Sequence, residues 1–251
     1  MCTLLLAYEA HPRYRLILAA NRDEFYQRPT AAAGFWEEDG HLFAGRDLLH
    51  GGSWLGVTSA GRIAALTNYR EPKQGEHRPS RGRLVSEYLR GELSPEEYLQ
   101  ALRGQARAYS GYNLLLGDPD RLYCYSNKSD QIVSITPGVH GLSNHLLDTP
   151  WPKVVRGRDA LARLLAEDDF SLEALFAILA DSTRAADLEL PDTGVGLEME
   201  RLLSSIFIAG EHYGTRSSTV ILVDRERQAS FVERSFDGGR VRDTEMSFDW
   251  S

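Results

Sequence analysis

The first residue able to do chemistry directly follows the initiator methionine. Cys2 is small enough for an aminopeptidase to remove Met1, and the mature chain would then begin with one residue carrying both a thiol and a free α-amine. An unperturbed α-amine titrates near about 7.7–8.0 and a thiol near about 8.5. The amine can therefore act as the base that activates the sulfur, directly or through one water. The plainer reading is a buried thiol that opens an edge strand. A second dense group is Asn21-Arg22-Asp23-Glu24, which closes an apolar run. If that run pairs with the N-terminal one, the quartet lies beside Cys2, where an Arg lowers a thiol pKa and a carboxylate can anchor an ammonium. Taken alone, the quartet is a solvated turn with local salt bridges.

The elements that must position these groups can be read from alternation and punctuation. Residues 3–10 and 15–20 are β-rich runs separated by His11-Pro12-Arg13, a hairpin signal. Residues 53–58 and 62–67 are two further strands around a Ser-Ala-Gly turn. Ser80 is a candidate cap for a helix carrying Leu84, Val85, Tyr88 and Leu89, and Ser94-Pro95-Glu96-Glu97 spells a capping box with Pro at the first helical position. Residues 112–116, 122–126, 132–136 and 139–142 are strands, residues 153–166 and 172–180 are helices, and residues 188–200 form a loop with a short helix. Residues 206–209, 218–223 and 229–235 are the last strands, with Asp224-Arg225-Glu226-Arg227 as the final hairpin turn. Strands, helices, strands, helices, strands is an order of packed antiparallel sheet and helix layers, not of alternating βαβ units. There is no linker, repeat or glycine-rich phosphate loop, and residues 1–251 read as a single domain.

The residues also carry a family resemblance. The quartet after Met1-Cys2 resembles the NRDE family, also called the transport and Golgi organisation protein 2 family. Ala44-Gly45-Arg46-Asp47, Gly51-Gly52-Ser53-Trp54-Leu55-Gly56 and Leu66-Thr67-Asn68-Tyr69-Arg70 resemble its second block. Gly141-Leu142-Ser143-Asn144 and Asp148-Thr149-Pro150-Trp151-Pro152-Lys153-Val154 resemble its third, and Tyr213-Gly214-Thr215-Arg216-Ser217-Ser218-Thr219-Val220 its last. The blocks keep their order across nearly the whole chain. The resemblance implies an α+β fold of the Ntn-hydrolase type, a four-layer αββα sandwich with two antiparallel sheets. It also implies roles. Cys2 matches the nucleophile of the cysteine acylases on that fold, Asn68 the oxyanion Asn, Asn144 a later Asn, and Arg216 the late Arg. An Asn amide is a neutral donor suited to an oxyanion, and an Arg keeps its charge at any working pH. Those acylases carry an Arg and, three residues on, an Asp after the first hairpin. Here Asn21 and Glu24 stand at that spacing, with Arg22 and Asp23 between them.

Composition narrows the rest. The 251 residues carry 28 Lys and Arg against 36 Asp and Glu, a net charge of −8, which argues against a nucleic-acid partner. No apolar run approaches the ~18 residues of a membrane span. Neither a basic leader nor a disulfide framework is present, since the only cysteines are Cys2 and Cys124, so a reducing cytoplasm is the expected location. His11, His41, His50, His77, His140, His145 and His212 show no paired metal spacing, so no structural metal is expected. Trp36, Trp54 and Trp151 read as core or pocket-rim residues. The family has been connected with haem trafficking and with acyl-CoA or lipid handling, and His145 and His212 lie beside the matched blocks. With Trp54, they are the candidate ligand contacts. Two functions follow. One is an N-terminal cysteine hydrolase of a small amide or thioester, needing no cofactor. The other is a carrier on the same fold that binds haem or an acyl ligand without turnover.

Overall fold

A computed structural model describes residues 2–72, 78–167 and 169–251. The expectations for Met1 and His77 lie outside the described residues. Two antiparallel sheets pack face to face. The first contains β1 (Cys2–Tyr8), β2 (Tyr14–Phe25), β10 (Gly138–Leu142), β11 (Tyr213–Asp224), β12 (Gln228–Asp237) and β13 (Arg240–Asp249), in the order β10-β1-β2-β11-β12-β13. The second runs in sequence order through β3 (Thr30–Trp36), β4 (Asp39–Asp47), β5 (Leu55–Thr58), β6 (Ile63–Asn68), β7 (Tyr112–Asp118), β8 (Arg121–Ser126) and β9 (Gln131–Ser134).

Side-chain alternation sorts the apolar residues into three layers. Leu4, Leu6, Leu16 and Leu18 meet Phe43, Leu55, Val57 and Leu115 between the sheets. The opposite faces of β1 and β2, with Leu5, Ala7, Ile17 and Ala19, are covered by α3 (Pro152–Leu164) and α4 (Leu172–Leu179). The outer face of the second sheet, with Leu42, Ala64, Leu114 and Leu116, is covered by α1 (Gly82–Arg90) and α2 (Pro95–Arg103). The fold is thus an α+β sandwich with helices outside both sheets. A short helix, α5 (Leu197–Leu202), packs beside the end of β11. Among the described residues no helix is long and apolar enough to cross a membrane.

Most of the expected elements are present, including the capping box of Ser94 with Glu97. Several details differ. Ser80 caps nothing: α1 begins at Gly82 behind Arg81, with no side-chain cap. Residues 206–209 form only a single bridge, Ala209 to Gly214. Their backbone turns back onto β11, with Ile208 N donating to Thr215 Oγ1 at 2.9 Å. β3, β4 and β13 were not anticipated. β13 is an edge strand whose Arg240, Arg242, Asp243 and Glu245 are exposed or partly exposed, so it resembles a polar tail in sequence.

Candidate active site

Cys2 opens β1 and is the cross-strand partner of Arg22 on β2. Its side chain joins the layer between the sheets, and Ser143 Oγ donates to its carbonyl oxygen at 3.2 Å. The Asp23 main chain donates a hydrogen bond to the thiol. Burial pushes the Cys2 thiol above its ordinary pKa, opposed first by the N-terminal ammonium and then by Arg22, with Asp23 adding to the rise. Cys124 lacks any such cation and is pushed up to about 12 by burial.

Strand alternation divides the quartet. Asn21 is buried on the helix side, where its Nδ2 donates to the carbonyls of Leu179 at 2.8 Å and Ile206 at 3.0 Å, and its Oδ1 accepts from Ser218 Oγ at 2.6 Å. It ties β2 to the helix layer and does not line the Cys2 cavity. Asp23 borders the cavity, while its Oδ1 accepts from Thr215 Oγ1 at 2.7 Å and its carbonyl from Tyr213 Oη at 2.9 Å. Burial raises the Asp23 pKa. Arg22 and Glu24 face the cavity. Arg22 Nη1 donates to Thr30 Oγ1 at 3.0 Å, and its guanidinium carbon lies 4.0 Å from the centroid of the Trp54 ring.

The cavity holds about 240 Å³ beside Cys2. Arg22, Arg28, Arg78 and Arg81 border it, against Asp23, Glu24 and Asp47. Arg28 is committed to Asp47, with Nη2 at 2.5 Å from Oδ2. Arg81 Nη1 donates to the Gly111 carbonyl at 2.8 Å and Arg78 Nη1 to the Tyr109 carbonyl at 2.7 Å, so their positive charge stays with the cavity. Two glycine positions permit this packing. A Cβ on Gly45 would lie 2.3 Å from the Trp54 ring, and one on Gly52 would lie 2.4 Å from the Gly82 main chain, where α1 begins.

Asn68 ends β6 and borders the cavity with Cys2. Asn144 lies behind it: its Nδ2 donates to the Asn68 carbonyl at 2.9 Å, and its Oδ1 accepts from Ser143 Oγ at 3.2 Å and Lys153 Nζ at 3.4 Å. Asn144 thus reaches the site through Asn68 and Ser143 and does not line the cavity. Arg216 sits on the far side of the Arg22–Trp54 pair, where its Nη1 donates to the carbonyls of Phe25, Tyr26 and Arg28 at 3.0–3.1 Å. Of the three residues expected to converge on Cys2, only Asn68 shares its cavity. His145 stacks between Tyr69 and Trp151, at 4.9 and 5.6 Å between centroids, and borders neither the Cys2 cavity nor the groove beside it.

That groove, of about 690 Å³, shares Glu24, Arg28, Asn68, Arg81 and Ser110 with the Cys2 cavity. Phe25, Val195, Met199 and Leu202 give it an apolar wall, and the exposed His212 stands at its edge. The buried Arg70–Glu200 ion pair holds α5 against the end of β6, with Arg70 over the Trp151 ring at 4.5 Å.

Lys153 is the functional candidate that the sequence reading passed over. It is fully buried in the first turn of α3, and burial with the nearby Arg70 pulls its ammonium down to about 7, against the opposing pull of Asp23 and Cys2. The signal was present, since Lys153 stands four and eight residues before Gly157 and Leu161 on the buried stripe of α3. Among the described residues no three His, Cys, Asp or Glu side chains gather to hold a metal ion.

A family model described as Transport and Golgi organisation 2 matches residues 1–238. The chain is 36% identical to a Transport and Golgi organization protein 2 homolog from Bos taurus, over 95% of this chain and 94% of that protein. The Homo sapiens homolog is 35% identical, over 94% and 93%. Among solved structures, a conjugated bile acid hydrolase from Clostridium perfringens superposes with a TM-score of 0.55 at 10% identity, covering 98% of this chain and 92% of that one. A Caenorhabditis elegans ortholog of N-acylethanolamine-hydrolyzing acid amidase gives 0.54 at 11% identity, covering 88% and 92%. At such identities these two likenesses concern the fold.

Proposed function

Since the chain belongs to the Transport and Golgi organisation 2 family, we propose that it is an N-terminal cysteine hydrolase that cleaves the amide or thioester bond of a small acyl substrate. The observation that carries this reading is the shared cavity of Cys2, Arg22 and Asn68, at the head of β1 on a fold shared with a bile acid hydrolase and an acid amidase.

Removal of Met1 frees the Cys2 α-amine, which takes the thiol proton as the sulfur attacks the substrate carbonyl carbon. A C–S bond forms, and the carbonyl electron pair moves to oxygen, where the Asn68 side chain serves as donor. Collapse of this intermediate breaks the C–N or C–S bond of the substrate, and the α-ammonium returns its proton to the leaving group. Water then attacks the acyl-cysteine, with the amine again as base, releasing the acid and restoring the thiol. Arg22 supports the thiolate across the strand pair. The apolar groove that opens from the cavity suits the acyl chain.

The test is a panel of acyl amides and acyl thioesters, run on wild type and Cys2→Ala beside a haem titration followed by absorbance, with intact mass reporting Met1. Hydrolysis lost in Cys2→Ala, with one methionine absent from the mass, supports the reading. No hydrolysis of any panel member, with saturable haem uptake by both proteins, overturns it in favour of a carrier.

A further inference from the structure

A second chamber of about 270 Å³ lies across the Arg22–Trp54 pair from Cys2. Its floor is the place where the inter-sheet core changes character. On β11 and β12 the inward positions run Ile221, Val223, Ala229 and Phe231 through the apolar layer. The same faces then continue as Ser217, Glu233 and Ser235, with Ser217 paired to Ser235 across the ladder. Alternation alone would place apolar residues there. A buried carboxyl and hydroxyls in an apolar layer carry a desolvation cost unless something partners them.

That partnering is incomplete. Glu233 Oε1 accepts from Ala33 N at 2.7 Å and from Ser235 Oγ at 3.4 Å, while Glu233 Oε2 and Ser217 Oγ, which act on each other, are buried without a well-formed hydrogen bond among the described residues. The Glu233 side chain is almost wholly buried, and burial raises its pKa, which favours the protonated, donating form. The walls are cationic. Arg22, Arg216, Arg240 and Arg242 line the chamber, and among the described residues none of them has a carboxylate within ion-pair distance, although Asp237 stands at the same mouth. Four guanidiniums without an ion-pair partner among the described residues thus surround a polar floor, with Glu233 on that floor and Asp237 at the mouth as the carboxyl groups nearby.

We propose that this chamber is a binding site for a small oxyanion carrying at least two negative charges, separate from the Cys2 cavity and sharing only its Arg22–Trp54 wall with it. Arg240 and Arg242, from the edge strand β13, supply fork-shaped donors at the mouth, and Ser217 supplies a hydroxyl donor at the floor. Phosphate and carboxylate both satisfy that donor set, so the probes separate them. The proposal goes beyond the hydrolase reading and does not depend on it.

The test is isothermal titration of the purified full chain with inorganic phosphate and with citrate, chloride serving as the monovalent control. Wild type and Cys2→Ala should both bind phosphate or citrate saturably, and the preferred probe identifies the head group. Arg240→Gln/Arg242→Gln, at exposed positions, should weaken binding by about tenfold or more. Ser217→Ala should weaken it too, with a native-like melting curve as the check on folding, whereas Glu233→Gln, which keeps a donor and cannot carry a negative charge, should not. Arg81→Gln, which alters only the Cys2 side, should leave it unchanged. No saturable binding of either probe overturns the proposal. So does binding that survives Arg240→Gln/Arg242→Gln but is lost in Arg81→Gln, because the anion then occupies the Cys2 cavity.

Discussion

The guanidinium of Arg22 stands 4.0 Å from the centroid of the Trp54 ring, and this pair is the wall between the cavity of Cys2 and the chamber floored by Ser217 and Glu233. A desolvated cation–π contact contributes about 2 kcal/mol. Here it also fixes a charge beside the sulfur, because Arg22 is the cross-strand partner of Cys2. Gly45 leaves the room in which the Trp54 ring sits.

Replacing Arg22 by Met keeps the length of the side chain and removes its charge. The Cys2 thiol, already raised by burial, then rises further because Arg22 was pulling it down. Iodoacetamide labelling of Cys2, followed by mass spectrometry at pH 8, should slow by up to about tenfold for each unit of pKa gained. Cys124 should remain unlabelled in both proteins. Faster labelling of Cys2 in Arg22→Met would refute an electrostatic role for the guanidinium.

Asn68 and Asn144 should separate kinetically. Asn68→Ala removes the donor that borders the cavity and should lower kcat by about a hundred- to a thousandfold with little change in melting temperature. Asn144→Ala leaves the Asn68 carbonyl and the Lys153 ammonium without the hydrogen bonds it makes with them, so it should destabilise the fold by about 1–3 kcal/mol and disturb kcat less. Equal kcat losses in the two variants would put Asn144 in contact with the reacting atoms.

The Arg70–Glu200 pair should be structural. Both side chains are almost wholly buried, and Thr193 N also donates to Glu200 Oε1 at 3.0 Å. Glu200→Ala strands a buried guanidinium and should cost about 3–5 kcal/mol in urea unfolding. A cost below that of an ordinary surface substitution would mean that Arg70 finds water instead.

Lys153 gives a pH signature. Its folded pKa, about 7, lies below its ordinary value of 10.5, so between those values the unfolded chain binds more protons and stability must rise with pH. Below about pH 7 the ammonium is charged in both states and its burial cost is fully present. Lys153→Met removes that cost. The stability of Lys153→Met relative to wild type should therefore be greatest near pH 6 and shrink as pH climbs toward 10. A difference that is flat with pH would show that Lys153 is not buried as a titrating group.

The sequence carried the first hairpin clearly, since the apolar runs around His11-Pro12-Arg13 have the alternation of β1 and β2 and leave Arg22 facing Cys2. It also carried Asn68, at the end of a well-patterned strand. It carried less about direction. Asn21 and Arg22 are neighbours in the chain yet point to opposite faces, and the hydrogen bonds that turn Asn21 away come from Leu179 and Ile206, far along the sequence. The burial of Glu233 is imposed by tertiary packing that its own strand does not announce, while that of Lys153 is marked by the apolar stripe of α3. β3 escaped notice because Ala31-Ala32-Ala33-Gly34 offers little contrast between its faces.

The pairing of β11 with β2 slips by one residue between Thr215 and Ser217, leaving Arg216 as the extra residue of a bulge. Regular alternation would put Thr215 and Ser217 on the same face. With the extra residue, Ser217 faces the second chamber while Thr215 turns to the helix side and donates to Asp23. Arg216 is thus a parity switch: it inverts the phase of the strand partway along, so that one strand serves two compartments. Removing that residue would let the Thr215–Asp23 and Ser217–Arg22 pairs close up as a regular ladder on their present faces, at the cost of the bonds that Arg216 makes to the carbonyls of Phe25, Tyr26 and Arg28.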